Sequence, residues 1–148
     1  MKTVEDLVRA KARKEIWSVT PDTLVYRALQ LLSEKGIGAL LVMERGELVG
    51  IISERDYARK VILEGKSSKE TYTQEIMSKT LYVVNPENTV EECMALMTEK
   101  RVRHLPVIDR GTKQVLSVIS IGDVLKSIIS DQQVLIENLS NYIAGKYA

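Results

Sequence analysis

Two segments, GIISERD at 50–56 and SVISIGD at 117–123, place a serine three residues ahead of an aspartate: Ser53 and Asp56, then Ser120 and Asp123. A carboxylate has two oxygens and can accept from a pair of neighbouring hydroxyls, and a serine hydroxyl can donate or accept beside it. The same spacing also suits a helix start, with the serine as cap and the acid in the first turn, and needs no ligand. One isolated copy favours the cap; two copies at matched places weigh toward a shared acceptor site. A third candidate is the pair Arg103-His104, within KRVRHLP at 100–106. Arginine offers a planar fork of donors suited to phosphate. Without a ligand, the same stretch is a solvated basic turn.

Other chemistries are excluded by count. Cys93 is the one cysteine and His104 the one histidine, so an internal disulfide and a Cys/His zinc cluster are both ruled out. The sequence carries no Walker loop, no paired carboxylates at metal-binding spacing, and no Ser/His or Cys/His set. His104 lacks the nucleophile and orienting partner a general base requires. Cys93 falls on an apolar helix stripe, a core position and not a reactive one.

These residues sit at corresponding places in an internal repeat. Residues 19–46 align without gaps on 84–111 at an offset of 65, and ten of the 28 positions are identical: Val19/Val84, Pro21/Pro86, Val25/Val90, Leu31/Leu96, Glu34/Glu99, Lys35/Lys100, Leu40/Leu105, Val42/Val107, Arg45/Arg110 and Gly46/Gly111. Ordinary residue usage gives about two by chance. After two extra residues in the second copy the register resumes at 67, which brings GIISERD onto SVISIGD. Each copy reads as a short strand ending at Val19 or Val84, a proline turn, a helix over about 24–35 or 89–100, two short apolar strands, and a closing helix just after Ser53 or Ser120. Gly65-Lys66-Ser67-Ser68-Lys69 reads as the connector. Leu135, Leu139, Tyr142 and Ile143 stand at helical spacing in an expected last helix over 131–144, packing on the body or on a second subunit.

Composition agrees with a folded chain of this kind. The 148 residues are 45% hydrophobic and 28% charged, with a net charge of +1. That excludes disorder as the main state and gives no overall field for nucleic acid or an anionic membrane. The basic stretch around Arg9 and Lys11–Lys14 is local. The charged start lacks a signal peptide's apolar region, and no apolar run approaches about 18 residues. The expected setting is the cytoplasm, where a lone thiol stays reduced.

The β-α-β-β-α unit, present twice, resembles the tandem cystathionine-β-synthase (CBS) domain pair. The V-x-P opening, the helix, the block ending in LPVID, and the segments GIISERD and VISIGD carry the likeness. It implies an α+β fold of two repeats packed about a pseudo-twofold axis with two clefts between them, to which the C-terminal helix read from apolar spacing is added. The expected boundaries are 1–64 for the first repeat, 65–70 for the linker, 71–130 for the second repeat and 131–148 for the helix and tail. It also implies an adenosine-containing ligand, AMP, ADP, ATP, NAD(H) or S-adenosylmethionine, with no metal required. The function implied is regulatory sensing of energy or redox state. Ligand would shift repeat or dimer packing, and a homodimer would act on an effector protein in trans.

The resemblance also assigns roles. Asp56 and Asp123 fall at the family's ribose position, Ser53 and Ser120 at a ribose or phosphate contact, and Arg103 and His104 at the phosphate. In the first repeat Gly38 and Ala39 replace that basic pair, which leaves Arg55 and Arg59, both exposed helix residues by default, as the weaker candidates to supply charge. The two clefts are therefore expected to differ. The base slot implied uses the opening strand of one repeat and the Ser-x-x-Asp of the other. Trp17, Val19, Ile37 and Gly38 are grouped with Arg103, Val118, Ser120 and Asp123. Tyr82, Val84, Val102 and Arg103 are grouped with Gly38, Ile51, Ser53 and Asp56. Trp17 and Tyr82 could flank an adenine or be only partly buried. The competing readings are a ligand-free dimeric scaffold and, with the least support, a nucleotide-hydrolysing enzyme.

Overall fold

The computed structural model describes residues 1–11 and 14–130. In chain order the elements are α1 (Val4–Ala10), β1 (Ser18–Val19), α2 (Val25–Lys35), β2 (Ala39–Glu44), β3 (Glu47–Ser53), α3 (Glu54–Tyr57) running into a π-helical turn at Ala58–Ile62, α4 (Thr73–Ile76), α5 (Val90–Lys100), β4 (His104–Ile108) and β5 (Val115–Ser120). A further helix, α6, is described over 121–130. The expected C-terminal helix lies outside the described residues. The mixture of helices with two small sheets is the α+β class read from the sequence.

The chain forms two compact units. Among the described residues, one holds 15–83; the other joins 1–11 and Lys14 with 84–130. In the first unit β1 pairs in parallel with β2, and β2 pairs antiparallel with β3 across the Arg45-Gly46 turn. Both turn residues have positive φ, as a two-residue hairpin with right-twisted strands requires. In the second unit β4 pairs antiparallel with β5. Its opening strand is reduced to a single parallel bridge, Val84 to Val107, the counterpart of Val19 to Val42.

Several matched apolar positions of the repeat are buried in both copies. Val25, Ala28, Leu32, Leu40, Val42 and Ile52 belong to the core of the first unit. Their partners Val90, Cys93, Met97, Leu105, Val107 and Ile119 are likewise buried. An apolar helix stripe and alternate strand residues thus meet the same demand twice. The helix ends diverge. Gly36 terminates α2 in the left-handed region, whereas Arg101 closes α5 there despite its Cβ.

The compact units do not follow the repeat boundaries. The main-chain N–H groups of Val4 and Glu5 donate to the carbonyls of Asn88 and Pro86, and Val90 N–H donates to Lys2 O. In the first unit Thr73 and Gln74 donate to Thr23 and Pro21, and Val25 donates to Thr71. The short helix that opens each repeat is therefore built into the unit formed around the other repeat's long helix. Residues 65–70, read as the linker, are held inside the first unit. Tyr26 N–H donates to Ser68 O at 2.9 Å, and Thr71 Oγ1 donates to Ser67 O at 2.7 Å.

The segment after α4 runs along β3, where Ile51 and Ser78 exchange main-chain hydrogen bonds. Gly50 permits this approach: a Cβ there would stand 2.7 Å from Met77 Sδ and 3.1 Å from Ser78 O. The thioether can swing aside, but the carbonyl is fixed by its bridge. Gly50→Ala is expected to destabilise the protein by about 1–2 kcal/mol, the low end of overpacking costs. A lowered urea midpoint at unchanged m-value would show it.

Candidate functional site

Each Ser-x-x-Asp forms a capping box at the helix after its hairpin. Ser53 N–H and Oγ donate to Asp56 Oδ2 at 2.9 and 3.0 Å, and Asp56 N–H donates to Ser53 Oγ at 3.2 Å. Ser120 and Asp123 repeat the pattern at 2.9, 3.1 and 3.2 Å. The cap reading of these pairs is thus realised in the structure. It does not use up the carboxylates, because the box needs only Oδ2. Both aspartates are mostly shielded, with side chains 17% and 20% exposed.

The hairpins bring further residues to these turns. In the second unit His104 stands opposite Ser120 in the strand register, and Ile121 N–H donates to Arg103 O at 2.8 Å. Arg103, His104, Val118, Ser120 and Asp123 therefore collect at one end of the β4–β5 pair. In the first unit Ala39 stands opposite Ser53, and Glu54 N–H donates to Gly38 O at 3.2 Å. Gly38, Ile51, Ser53 and Asp56 collect in the same way, with a small residue wherever the second unit has a basic one.

The other predicted residues divide between the units. Trp17, Val19, Ile37, Arg55 and Tyr82 lie in the first; Val84 and Val102 lie in the second. Lys35 Nζ sits over the Trp17 ring, 4.1 Å from its centroid, and that ring is half-buried. Val19 points into the core. Val84 is buried, and its N–H and carbonyl are used by Pro106 and Ile108. Arg55 is partly buried and Arg59 exposed.

Sequence reasoning missed two lysines. Lys60 Nζ lies 3.1 Å from Asp56 Oδ1 and donates to Ile76 O at 2.9 Å. Lys11 Nζ lies 3.2 Å from Asp123 Oδ2 and donates to Val118 O at 2.6 Å. The first pair was legible as an i,i+4 spacing. The second spans 112 residues, and no local signal announces it.

Burial holds the His104 imidazole below its usual 6.5; Asp123 opposes the shift, while Lys11 and Arg103 add to it. The unfolded chain therefore takes up the proton first. Stability is full above about pH 6.5 and falls as pH drops through the gap between the two values. Unfolding of wild type and His104→Gln between pH 7.5 and 5 is expected to show a shallower loss in the variant. The Cys93 thiol is pushed up to about 11, chiefly by burial, so it carries no thiolate at neutral pH. Among the described residues no group of three or more His, Cys, Asp or Glu side chains could hold a metal ion. No helix among them is long and apolar enough to cross a membrane.

The family model of the CBS domain matches residues 4–63 and 74–130. A CBS domain-containing protein of Arabidopsis thaliana, CBSX3, described as mitochondrial, is 39% identical over 98% of this chain and 73% of its own length. The solved structure of a protein with CBS domains from Burkholderia ambifaria is 50% identical, with a TM-score of 0.84 over 88% of this chain and 96% of that one. The CBS domain pair of MJ0100, solved in complex with 5-methylthioadenosine and S-adenosyl-L-methionine, shares the fold at 20% identity, with a TM-score of 0.75 over 88% of this chain and 98% of that one.

Proposed function

The chain belongs to the CBS-domain proteins as a tandem pair, and from that premise we propose that it is a regulatory module whose ligand is an adenosine-containing nucleotide, AMP, ADP, ATP or NAD(H). CBS pairs generally bind adenosine ligands in regulatory roles. The observation that carries the reading here is the duplicated turn. Two aspartates, both mostly shielded, are oriented alike by their serines, and each keeps carboxylate capacity beyond its cap. In this reading Asp56 and Asp123 accept the ribose hydroxyls, with Ser53 and Ser120 beside them. Arg103 and His104 serve the phosphate in the second unit, and Arg55 supplies charge in the first. Trp17, Val19, Ile37, Gly38, Ile51, Tyr82, Val84, Val102 and Val118 line the approach of the base. The signal passes to an effector protein in trans, through altered packing of the repeats or of a homodimer, in the cytoplasm.

Equilibrium dialysis with AMP, ATP, NAD(H) and S-adenosylmethionine tests this directly. Binding of at least one is expected, with the ligand recovered unchanged after long incubation. No binding of any at millimolar concentration would sink the reading. Turnover would replace it with an enzyme.

One observation favours a ligand-free scaffold: each carboxylate already receives its serine's two donors and a lysine within the fold. On that reading Asp56 and Asp123 matter for stability alone.

A further inference from the structure

We propose that Lys11 is a specificity-determining residue of the Asp123 site, there to offset the carboxylate so that this unit takes phosphorylated nucleosides in preference to neutral ones. The inference rests on the reading of Asp123 as the diol acceptor. An anionic acceptor for a sugar is a poor neighbour for that sugar's phosphate, since like charges about 5 Å apart repel strongly in a shielded site. A fixed cation on the carboxylate removes the conflict.

The geometry suits that task. The Ser120 N–H, the Ser120 hydroxyl and the Lys11 ammonium all converge on Asp123 Oδ2, at 2.9, 3.1 and 3.2 Å. Among the described residues Oδ1 accepts no hydrogen bond, so the acceptor and its counter-charge occupy different oxygens. Val118 O, at 2.6 Å, holds the ammonium in place. Among the described residues two of its three N–H bonds are then used, which leaves the third for an anion. Lys11 reaches this point because it caps the C-terminus of α1, whose other end is fastened to residues 86–90. Arg103 and His104 stand at the same end of the strand pair.

Asp56 acquires its cation by another route. Lys60 is one turn further along the same helical segment, at a position that aligns with Ser127 in the second repeat. The two lysines are therefore not relics of the duplication; each acid is neutralised separately. The arrangements also differ in one respect. Lys60 takes Oδ1, the oxygen that the cap leaves open, whereas Lys11 shares Oδ2 with the cap.

Calorimetric titration of adenosine, AMP and ATP tests the proposal, in an Asp56→Asn background so that the Asp123 site is read by itself. Lys11→Met is expected to weaken AMP about tenfold and ATP further, with adenosine changed less than twofold. Lys11→Arg is expected to recover most of the AMP affinity, and the AMP-to-adenosine ratio of the parent is expected to shrink with added salt. Equal weakening of adenosine and AMP would overturn the proposal by reducing Lys11 to a support of the fold, and thermal melts of both variants would show that loss independently. Tightening of both ligands would overturn it by making Lys11 a competitor for the carboxylate. An unchanged ratio in Lys11→Met, with binding intact, sinks the proposal alone. A parent protein that binds none of the three sinks the ligand reading along with it.

Discussion

Leu7→Ala is expected to destabilise the protein by about 2–4 kcal/mol, within the range for truncating a buried leucine, and to loosen residues 84–130 more than residues 15–64. Leu7 is 5% exposed, and Val4 beside it is fully buried. By chain position both belong to the first repeat. By hydrogen bonding, α1 belongs with the second: Val4 and Glu5 donate to Asn88 and Pro86, Val90 donates to Lys2, and Thr3 bridges Thr89. A cavity under α1 therefore frees the start of α5. Backbone hydrogen exchange followed by mass spectrometry reads this by segment. Protection is expected to fall first in peptides covering 84–100. Ile76→Ala gives the mirrored result, since Ile76 lies in the core of the first unit, and its loss of protection should centre on 19–35. Should Leu7→Ala instead loosen 19–64, the assignment of α1 to the second unit is wrong.

That exchange marks where sequence reading stopped. What repeats every 3.6 or every two residues was legible, because burial imposes those periods on each repeat separately. Val25/Val90, Ala28/Cys93, Leu40/Leu105 and Ile52/Ile119 were all visible as matched apolar positions, and all are buried. The hairpins were legible from short apolar runs on either side of Arg45-Gly46 and of the 109–114 turn. The Ser-x-x-Asp pairs were legible because a capping box is local. VEDLV and TQEI, by contrast, are too short for a period to show which partner they cover, and their hydrogen-bond partners lie about 50 residues away for TQEI and more than 80 for VEDLV. The stretch 65–70 has a linker's composition, yet Ser68 O accepts from Tyr26 and Lys69 Nζ sits 4.9 Å over the Tyr26 ring. Composition reports propensity; it does not report a tertiary anchor. Lys11 was legible only as one of several basic residues near the start. Its role depends on α1 being docked on the second repeat, so missing the exchange meant missing the lysine.

Asp123→Asn is expected to weaken AMP binding about 100-fold, the loss that follows when two hydroxyls give up a charged acceptor. The asparagine keeps the shape and one oxygen, so the hairpin and α6 remain in place. Stability should fall by about 1 kcal/mol, because the amide caps Ser120 less well and leaves the Lys11 ammonium beside a neutral group. The two losses can be separated. Adding Lys11→Met removes the stranded cation, so the double variant is expected to regain part of the stability and none of the affinity. A ligand-free scaffold predicts the reverse weighting: a stability loss in Asp123→Asn, its partial rescue in the double variant, and no ligand signal in the wild type to lose. Asp56→Asn supplies the internal comparison. Lys60 already occupies the open oxygen of Asp56, and Gly38 and Ala39 stand where the second unit has Arg103 and His104. Loss of that acceptor should therefore reduce AMP affinity less than loss of Asp123. A larger effect at Asp56 would mean that the basic end of β4 is not where the phosphate goes.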